Sequence, residues 1–284
     1  MSNKQTLENI KKLRELTGVG FKDCKLAIEE NNGDLDKSIE FLRKKGIAKA
    51  SKKMSRTASE GLVLTCEKSG EISIIEINSE TDFVAKNKDF ISFCKEISEI
   101  NFLNKGNLDG VNNSNMKNNV NVKDNLIDLI SKIGEKITLR RTRFFDKKNG
   151  TNFLYVHNAI EKNIGKIASV VKINKEDKDL GSKLAMHVAA SSPLAMDKND
   201  IKKEIVDKEL EIIKAELINS GKKGEMIDKI SSGKLNKFIS DNTLLNQVWI
   251  MDPKKKVKDI LKEHSKEEEV KIIDFVRYKV GEGV

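Results

Sequence analysis

Residues 79–87 read Ser79-Glu80-Thr81-Asp82-Phe83-Val84-Ala85-Lys86-Asn87 and place an acid beside an aromatic residue. Before this segment, β-branched residues predict a short, largely buried strand: Ile72, Ile74, Ile75 and Ile77. After it, Asn87 is a suitable cap for a helix whose apolar residues recur at helical spacing: Phe90, Phe93, Cys94, Ile97 and Ile100. The segment is therefore predicted to be a tight strand-to-helix loop, and such loops often carry binding residues.

Phe83 has two interpretations at this stage. It lies one heptad before Phe90, so its ring could pack the start of the helix onto the core as a hydrophobic staple. Alternatively, the ring is exposed and binds a partner. A similar order of elements later in the chain favours binding, because the corresponding connection, residues 174–179, contains no aromatic residue at all.

That later unit consists of two strand-like runs, residues 153–159 and 166–173, joined by a turn near Asn163. A helix follows, with its apolar face marked by Leu180, Leu184, His187 and Val188. The core is therefore predicted to contain two related strand-strand-helix units, and the fold class is α+β.

Three short helices are predicted between Thr6 and Gly46. Their marker positions are Leu7, Ile10, Leu13 and Leu16, then Cys24, Ala27 and Ile28, then Leu35, Ile39 and Leu42. Residues 1–47 are accordingly predicted to form a three-helix bundle, which at this size is expected to pack on or bind something else. Residues 48–60 are predicted to be a mobile basic linker because they carry several Lys and Arg residues and no apolar period.

The two core subdomains are predicted at residues 61–145 and 146–284. Within the first, residues 101–125 hold ten asparagines and few large apolar groups, which predicts an insertion or a flexible loop. Within the second, a helical hairpin is predicted at about 200–240 because apolar residues recur at coiled-coil spacing: Val206, Leu210, Ile213 and Leu217. The sequence leaves open whether this seam is filled within the chain or by another subunit.

The composition limits which cellular compartment and which kind of partner can be expected. No apolar stretch approaches the roughly 20 residues of a membrane helix, and no secretory signal is evident, so cytoplasmic location is expected. The formal charge of +9 permits an acidic partner, either nucleic acid or a protein with a negative face. The low aromatic content of 5% and the excess of Lys over Arg argue against nucleic acid.

Enzyme motifs are absent from the sequence. It contains no phosphate-binding G-x-x-x-x-G-K-[ST], no G-x-G-x-x-G, no H-E-x-x-H and no G-x-S-x-G. The histidines His157, His187 and His264 are too dispersed to suggest a metal site, and the three cysteines form no C-x-x-C pair. A binding protein without cofactor or metal is therefore favoured over an enzyme.

Several ordered motifs resemble those of the bacterial translation elongation factor Ts family. They begin with Leu13 to Gly20, Asp23-Cys24-Lys25 and Asn32-Gly33-Asp34, continue with Asn78 to Asn87, and then include Ile133-Gly134-Glu135, Tyr155-Val156-His157, Ala185 to Ala190 and Val280 to Gly283. The resemblance spans essentially the whole chain. It implies a three-helix head like that of ubiquitin-associated domains, two α+β core subdomains and an inserted antiparallel coiled-coil hairpin.

The resemblance implies guanine-nucleotide exchange on elongation factor Tu, a GTPase that would itself supply the nucleotide site. Thr81, Asp82, Phe83 and Val84 would then enter the GTPase near its magnesium, with Phe83 as an apolar wedge and Asp82 beside it. Further implied contacts are Leu13, Val19 and Gly20 in the head and His157 in the second subdomain. Core packing is the favoured role for Leu13, whereas for His157 partner contact and strand packing stay equally open.

Two alternative classes of function remain open at this stage. One is an undetected enzyme, which would need a pocket that no convergent polar residues suggest. A basic RNA-associated or ribosome-associated protein would also explain the charge of +9. A dimer of heterodimers is one arrangement that the hairpin seam would allow.

Overall fold

The computed structural model describes residues 3–17, 19–265 and 268–284. As predicted, the fold is mixed α+β, with helices at the N-terminus and two antiparallel sheets. The chain forms two compact units. Unit 1 contains Met1–Phe144, Asn158–Ile167 and Tyr278–Val284, and unit 2 contains Phe145–His157 and Ala168–Arg277.

The helices in chain order are α1 (Asn3–Thr17), α2 (Phe21–Glu30), α3 (Leu35–Lys53), α4 (Asp82–Ala85), α5 (Lys88–Leu103), α6 (Leu108–Asn113), α7 (Val122–Ile133), α8 (Lys178–Ser191), α9 (Lys203–Asn219), α10 (Glu225–Asn242) and α11 (Val257–His264). The strands are β1 (Glu60–Lys68), β2 (Glu71–Ser79), β3 (Ile137–Phe145), β4 (Thr151–His157), β5 (Ile164–Gly165), β6 (Ile167–Ile173) and β7 (Ile272–Lys279).

The first three helices pack around a small shared core. Its buried residues are Ile10, Leu13, Cys24, Ala27, Ile28 and Leu42. Asp34 caps α3 by accepting a hydrogen bond of 3.0 Å from the backbone N–H of Lys37. Leu7 and Leu16, which the spacing marked as apolar positions of the first helix, are instead exposed, so the buried stripe of α1 is narrower than predicted. Gly18, in the predicted turn, lies outside the described residues.

The predicted linker at 48–60 is wrong over its first part, because α3 continues to Lys53. Gly46 does not end the helix. It lies where α3 passes close to α7, and a Cβ at this position would be 2.8 Å from Oγ of Ser131. Ala50, one turn later, is buried in the core of the first sheet. Packing against that core therefore extends a helix that glycine and lysine composition alone would have ended.

The first sheet has the strand order β3-β2-β1-β5, and β1 pairs antiparallel with β2 in a register that places Leu64 opposite Ile75. Helix α5 packs on it through Phe90, Phe93 and Ile97. The turn near Asn163 is present, but the strand after it is divided. β5 pairs with β1, whereas β4 and β6 belong to the second sheet, so residues 158–167 return to unit 1 and the predicted boundary at 145/146 is crossed.

The Asn-rich stretch is folded, which corrects the prediction of a flexible loop. Val111, Met116 and Val122 from this stretch are buried in the core of unit 1. Asn107 and Asn121 cap the helices that follow them, α6 and α7, by accepting hydrogen bonds from backbone N–H groups. Asparagine side chains satisfy backbone groups at helix ends, so a stretch rich in asparagine can be folded, as the two capped helices here show.

The second sheet has the order β4-β6-β7, with α8 packed on it. Helices α9 and α10 form a hairpin from Lys203 to Asn242. Ile213 and Leu217 of the predicted seam are buried. His187 of α8 is buried and hydrogen-bonds Gln247 at 3.1 Å, and burial lowers its pKa. Its role is structural, as predicted for a lone histidine on a helix.

The segment from Val280 to Gly283 contacts a buried carboxylate of unit 1. Glu76 of β2 accepts hydrogen bonds from Arg140, Arg141 and the backbone N–H of Gly281 at 2.9, 2.5 and 2.8 Å. Desolvation raises the pKa of Glu76, but these bonds and one from Asn78 outweigh it and leave the pKa below its ordinary value. Gly281 has a φ of +74°, and a Cβ there would lie 2.1 Å from the carbonyl oxygen of Ser59. Only glycine fits this contact.

Candidate functional site

The loop at 79–87 contains one helical turn that the sequence did not predict. After β2 ends at Ser79, α4 forms from Asp82 to Ala85, and α5 starts at Lys88. Asn87 caps α5 as predicted, accepting hydrogen bonds from the backbone N–H groups of Asp89 at 2.9 Å and Phe90 at 3.2 Å. The connection is therefore a single helical turn followed by a capped helix, and not an irregular loop.

Phe83 faces solvent on this turn, with 78% of its surface exposed. The residues that anchor the turn are Val84 and Ala85, which are 5% and 1% exposed and belong to the core of unit 1. Because successive helical residues are rotated by about 100°, a turn that buries these two directs Phe83 outward. The staple hypothesis is therefore wrong, since Val84 does the anchoring.

An acid and an ammonium group flank the exposed ring. Asp82 accepts a hydrogen bond of 2.7 Å from Nζ of Lys86, and that Nζ lies 6.0 Å from the centroid of the Phe83 ring. The hydrogen bond from Lys86 lowers the pKa of Asp82, so this carboxyl is ionised at neutral pH. The tip of the turn thus presents one large apolar group beside one carboxylate.

The base of the turn is held by the segment between α7 and β3. Thr81 donates twice to Glu135, from its backbone N–H at 3.0 Å and from its hydroxyl at 2.8 Å. In return, Glu80 accepts a hydrogen bond of 2.6 Å from the backbone N–H of Lys136 and lies 3.2 Å from Arg56. Partial burial raises the pKa of Glu80, but the bonds from Lys136 and Arg56 outweigh it and lower the pKa overall.

Glu135, which holds Thr81, was not selected from the sequence. The signal was present in Ile133-Gly134-Glu135, a motif noted without a role, but no local pattern relates a residue to a partner 54 positions away. Only the tertiary structure brings Glu135 to Thr81.

In the head, the three candidate residues occupy different environments. Leu13 is fully buried in the small core, which agrees with a packing role. Val19 is half-buried against the same core, and Gly20 is exposed at the start of α2. Phe21 and Leu16, which were not selected from the sequence as binding candidates, are 47% and 61% exposed. They are therefore exposed apolar residues at the end of α1 and the start of α2.

His157 lies at the end of β4 in unit 2 and is exposed. Its Nδ1 is 3.2 Å from the hydroxyl of Tyr155. The imidazole is therefore exposed to solvent while it contacts the ring of Tyr155 on the same face of β4.

Groups suited to chemistry are few in the described part of the chain. Within residues 3–17, 19–265 and 268–284, no cluster of three or more His, Cys, Asp or Glu side chains is arranged to hold a metal ion. Cys24, Cys66 and Cys94 are buried, and burial is the largest cause that raises the pKa of the Cys66 thiol to about 11. None of the described helices has the length and apolar character needed to cross a membrane.

Comparison with known proteins places this architecture in a family. The family model described as "Elongation factor TS" matches residues 80–282, beginning at the candidate turn. The chain belongs to the elongation factor Ts family. It is 38% identical to Elongation factor Ts of Rickettsia prowazekii, with 97% of this chain and 91% of that protein covered.

Other relatives agree with this assignment. Elongation factor Ts of Methylorubrum extorquens is 39% identical, with coverage of 97% and 92%, and that of Bartonella tribocorum is 38% identical, with coverage of 98% and 94%. The similarity to elongation factor Ts proteins therefore covers the head as well as the core. It places the chain among the elongation factors of translation.

Proposed function

We propose that this protein is a guanine-nucleotide exchange factor for elongation factor Tu. It binds the GDP-bound GTPase, disturbs the magnesium and phosphate site, releases GDP and allows GTP to bind. The observation that carries the proposal is the 78% exposure of Phe83 on a turn whose neighbouring residues are buried, in a chain of the elongation factor Ts family. A large apolar side chain held outward in this way has the properties of an interface hot spot.

The proposed mechanism uses the apolar ring and the carboxylate together. Phe83 enters between elements of the GTPase and displaces the groups that position the magnesium ion, which neutralises phosphate charge and slows GDP release. Asp82 binds beside it, while Thr81 and Val84 shape the turn. Val19, Gly20 and His157 make further contacts, and Leu13 supports the head from inside.

The proposed role requires no catalytic group in this chain, because the partner supplies the nucleotide site. Coupling between the two binding events is reciprocal: a protein that weakens nucleotide binding is itself bound more weakly when nucleotide is present. The excess of GTP over GDP in the cytoplasm, and not this protein, then sets the direction of exchange.

Stopped-flow release of a fluorescent GDP analogue from elongation factor Tu tests the proposal. We expect the wild-type protein to accelerate release, and Phe83→Ala to lower the acceleration about 30-fold, equivalent to about 2 kcal/mol of lost wedge energy. Leu103→Ala is the matched control, because Leu103 is a similarly exposed apolar residue of unit 1, at 72%. This variant should exchange at the wild-type rate.

Two results would contradict the proposal. Folded wild-type protein that does not accelerate release would exclude exchange activity. A loss as large for Leu103→Ala as for Phe83→Ala would show that Phe83 is not the wedge. Tight RNA binding that falls steeply with salt, in a protein inactive in exchange, would instead support the RNA-associated alternative.

A further inference from the structure

The turn that carries Phe83 has little support from its own residues. Helix α4 is a single turn, Asp82–Ala85, and isolated short helices are unstable in water because the first turn costs more entropy than its hydrogen bonds return. Thr81 is at the N-cap position, where a hydroxyl would ordinarily accept a hydrogen bond from the backbone of the turn. Here the Thr81 hydroxyl makes no such cap and donates to Glu135 instead.

Glu135 replaces the missing local cap with a two-point attachment. One carboxylate oxygen accepts from the Thr81 backbone N–H at 3.0 Å and the other from the Thr81 hydroxyl at 2.8 Å. Two hydrogen bonds to one carboxylate fix orientation as well as distance, and bonds to a charged acceptor are stronger than neutral ones.

The segment that carries Glu135 is itself anchored. Gly134 ends α7 with a φ of +87°, and its carbonyl oxygen accepts a hydrogen bond from Nζ of Lys53 on α3. The backbone N–H of Lys136 donates to Glu80 at 2.6 Å. The carboxylate is therefore attached to a constrained segment and can transmit that constraint to Thr81.

We propose that Glu135 is the positioning residue of the exchange site. It acts through Thr81, by holding α4 in the conformation that presents Phe83. This inference rests on the proposed exchange function. When the attachment is lost, the turn samples other conformations, and only a fraction of molecules is ready to bind.

A loss of this kind has a distinct kinetic signature. The apparent dissociation constant rises by the inverse of the competent fraction, while the rate of the bound complex is retained. For Glu135→Ala we expect the concentration at half-maximal exchange to rise about tenfold and the maximal rate to stay within about twofold of wild type. A purely structural role would lower stability and leave exchange per folded molecule unchanged.

A graded set of variants tests the two bonds separately. Thr81→Ser keeps both donors and should retain a half-maximal concentration within about twofold of wild type, whereas Thr81→Val removes the hydroxyl bond and should raise it about threefold. Glu67→Ala is the control for removing a glutamate of unit 1 away from the turn, on the exposed end of β1. Thr81→Val also keeps the test available if Glu135→Ala does not fold.

Two further measurements separate positioning from the exchange function itself. Amide hydrogen exchange needs no partner, and Glu135→Ala should speed exchange at residues 82–86 while β1 and β2 stay protected. In a Phe83→Ala background, Glu135→Ala should change the half-maximal concentration by no more than about twofold, because there is no ring left to position.

The outcomes distinguish the two claims. Wild-type protein that fails to release GDP removes the exchange function and this inference with it. Active wild-type protein whose Phe83→Ala variant is impaired, but whose Glu135→Ala and Thr81→Val variants behave as wild type, overturns the positioning role alone. An unchanged amide exchange pattern at residues 82–86 in folded Glu135→Ala would also overturn it.

Discussion

In unit 1, residues 80–87 lead from β2 into α5, and in unit 2, residues 174–177 lead from β6 into α8. Both helices begin with Lys-Asp followed by a buried apolar residue, Phe90 in α5 and Leu180 in α8. Both are capped by the residue immediately before the helix, Asn87 in one case and Asp177 in the other. The two connections therefore meet the same packing requirement in the same way.

They differ in what precedes the cap. In unit 2, Asn174 exchanges hydrogen bonds with Lys271, and Asp177 also contacts His264 at 2.9 Å, so these side chains are used within their own unit. In unit 1, the additional turn α4 leaves Phe83 exposed. A strand-to-helix connection can thus be completed without an aromatic residue or an added turn. The extra turn in unit 1 costs conformational entropy and leaves the Phe83 ring in water. Both costs are expected for a surface that binds a partner.

The largest expected effect concerns the buried apolar residue at the start of each helix. Phe90→Ala should lower the free energy of unfolding by about 3 to 5 kcal/mol and Leu180→Ala by about 2 to 5 kcal/mol, because each leaves a cavity in a closed core. Denaturant unfolding measures both. A small loss for one variant alone would show that the two helices are not anchored in the same way.

In the turn α4 of unit 1, substitutions at two adjacent residues should have different effects, one on stability and the other on function. Val84→Ala should cost about 1 to 3 kcal/mol of unfolding free energy, since Val84 is buried. Phe83→Ala should change it by no more than about 0.5 kcal/mol, since the ring is exposed. Unfolding curves of the two variants check this. Equal losses would return Phe83 to a structural role.

The two caps should respond differently to acid. The hydrogen bond from the backbone of Leu180 is the main cause that lowers the pKa of Asp177, so its folded pKa is below the unfolded value of about 3.9. The stabilisation is complete above the unfolded pKa and is lost as pH falls through the folded pKa. Asp177→Ala should therefore cost about 1 kcal/mol at pH 7 and clearly less at about pH 3.

Asn87→Ala provides the matched control for the acid experiment, because an amide cap does not titrate. Its cost should be about 1 kcal/mol at both pH values. Denaturant unfolding at each pH gives the comparison. A cost for Asp177→Ala that does not depend on pH would mean that its carboxylate form is not needed for the cap.

The smallest effect concerns the exposed pair beside Phe83. Lys86→Ala should raise the pKa of Asp82 toward its ordinary value, because the hydrogen bond from Lys86 is the main cause of the lowering. The unfolding midpoint should not change, since both side chains are largely in solvent. An NMR titration of the Asp82 carboxyl measures the shift. An unchanged pKa would mean that the pair does not persist in solution.

Much of the fold was predictable from local sequence signals. The strand before the candidate turn, the helix after it and the Asn87 cap follow from period and cap chemistry, and they were predicted correctly. The same signals failed where packing overrides them. Gly46 indicated a helix end but lies at a close helix contact, and the asparagines of 101–125 indicated flexibility but cap short helices.

The site was predictable only in part, for the same reason. The segment Thr81 to Val84 stood out from the sequence, but its internal arrangement did not. The staple hypothesis assigned the anchoring role to Phe83, and the structure assigns it to Val84, because the short helix α4 rotates these adjacent side chains to opposite environments.

By itself, the sequence determined most of the element types, the two repeated connections and the family. Residue propensities, hydrophobic periodicity and sequence motifs all depend on residues that are close together in the chain. Only the tertiary structure decided that Phe83 is exposed, that Glu135 holds Thr81, and that residues 158–167 and 278–284 return to unit 1. Each of these depends on contacts between residues far apart in the chain. Such contacts are selected by packing and hydrogen-bond geometry, which no short window of sequence contains.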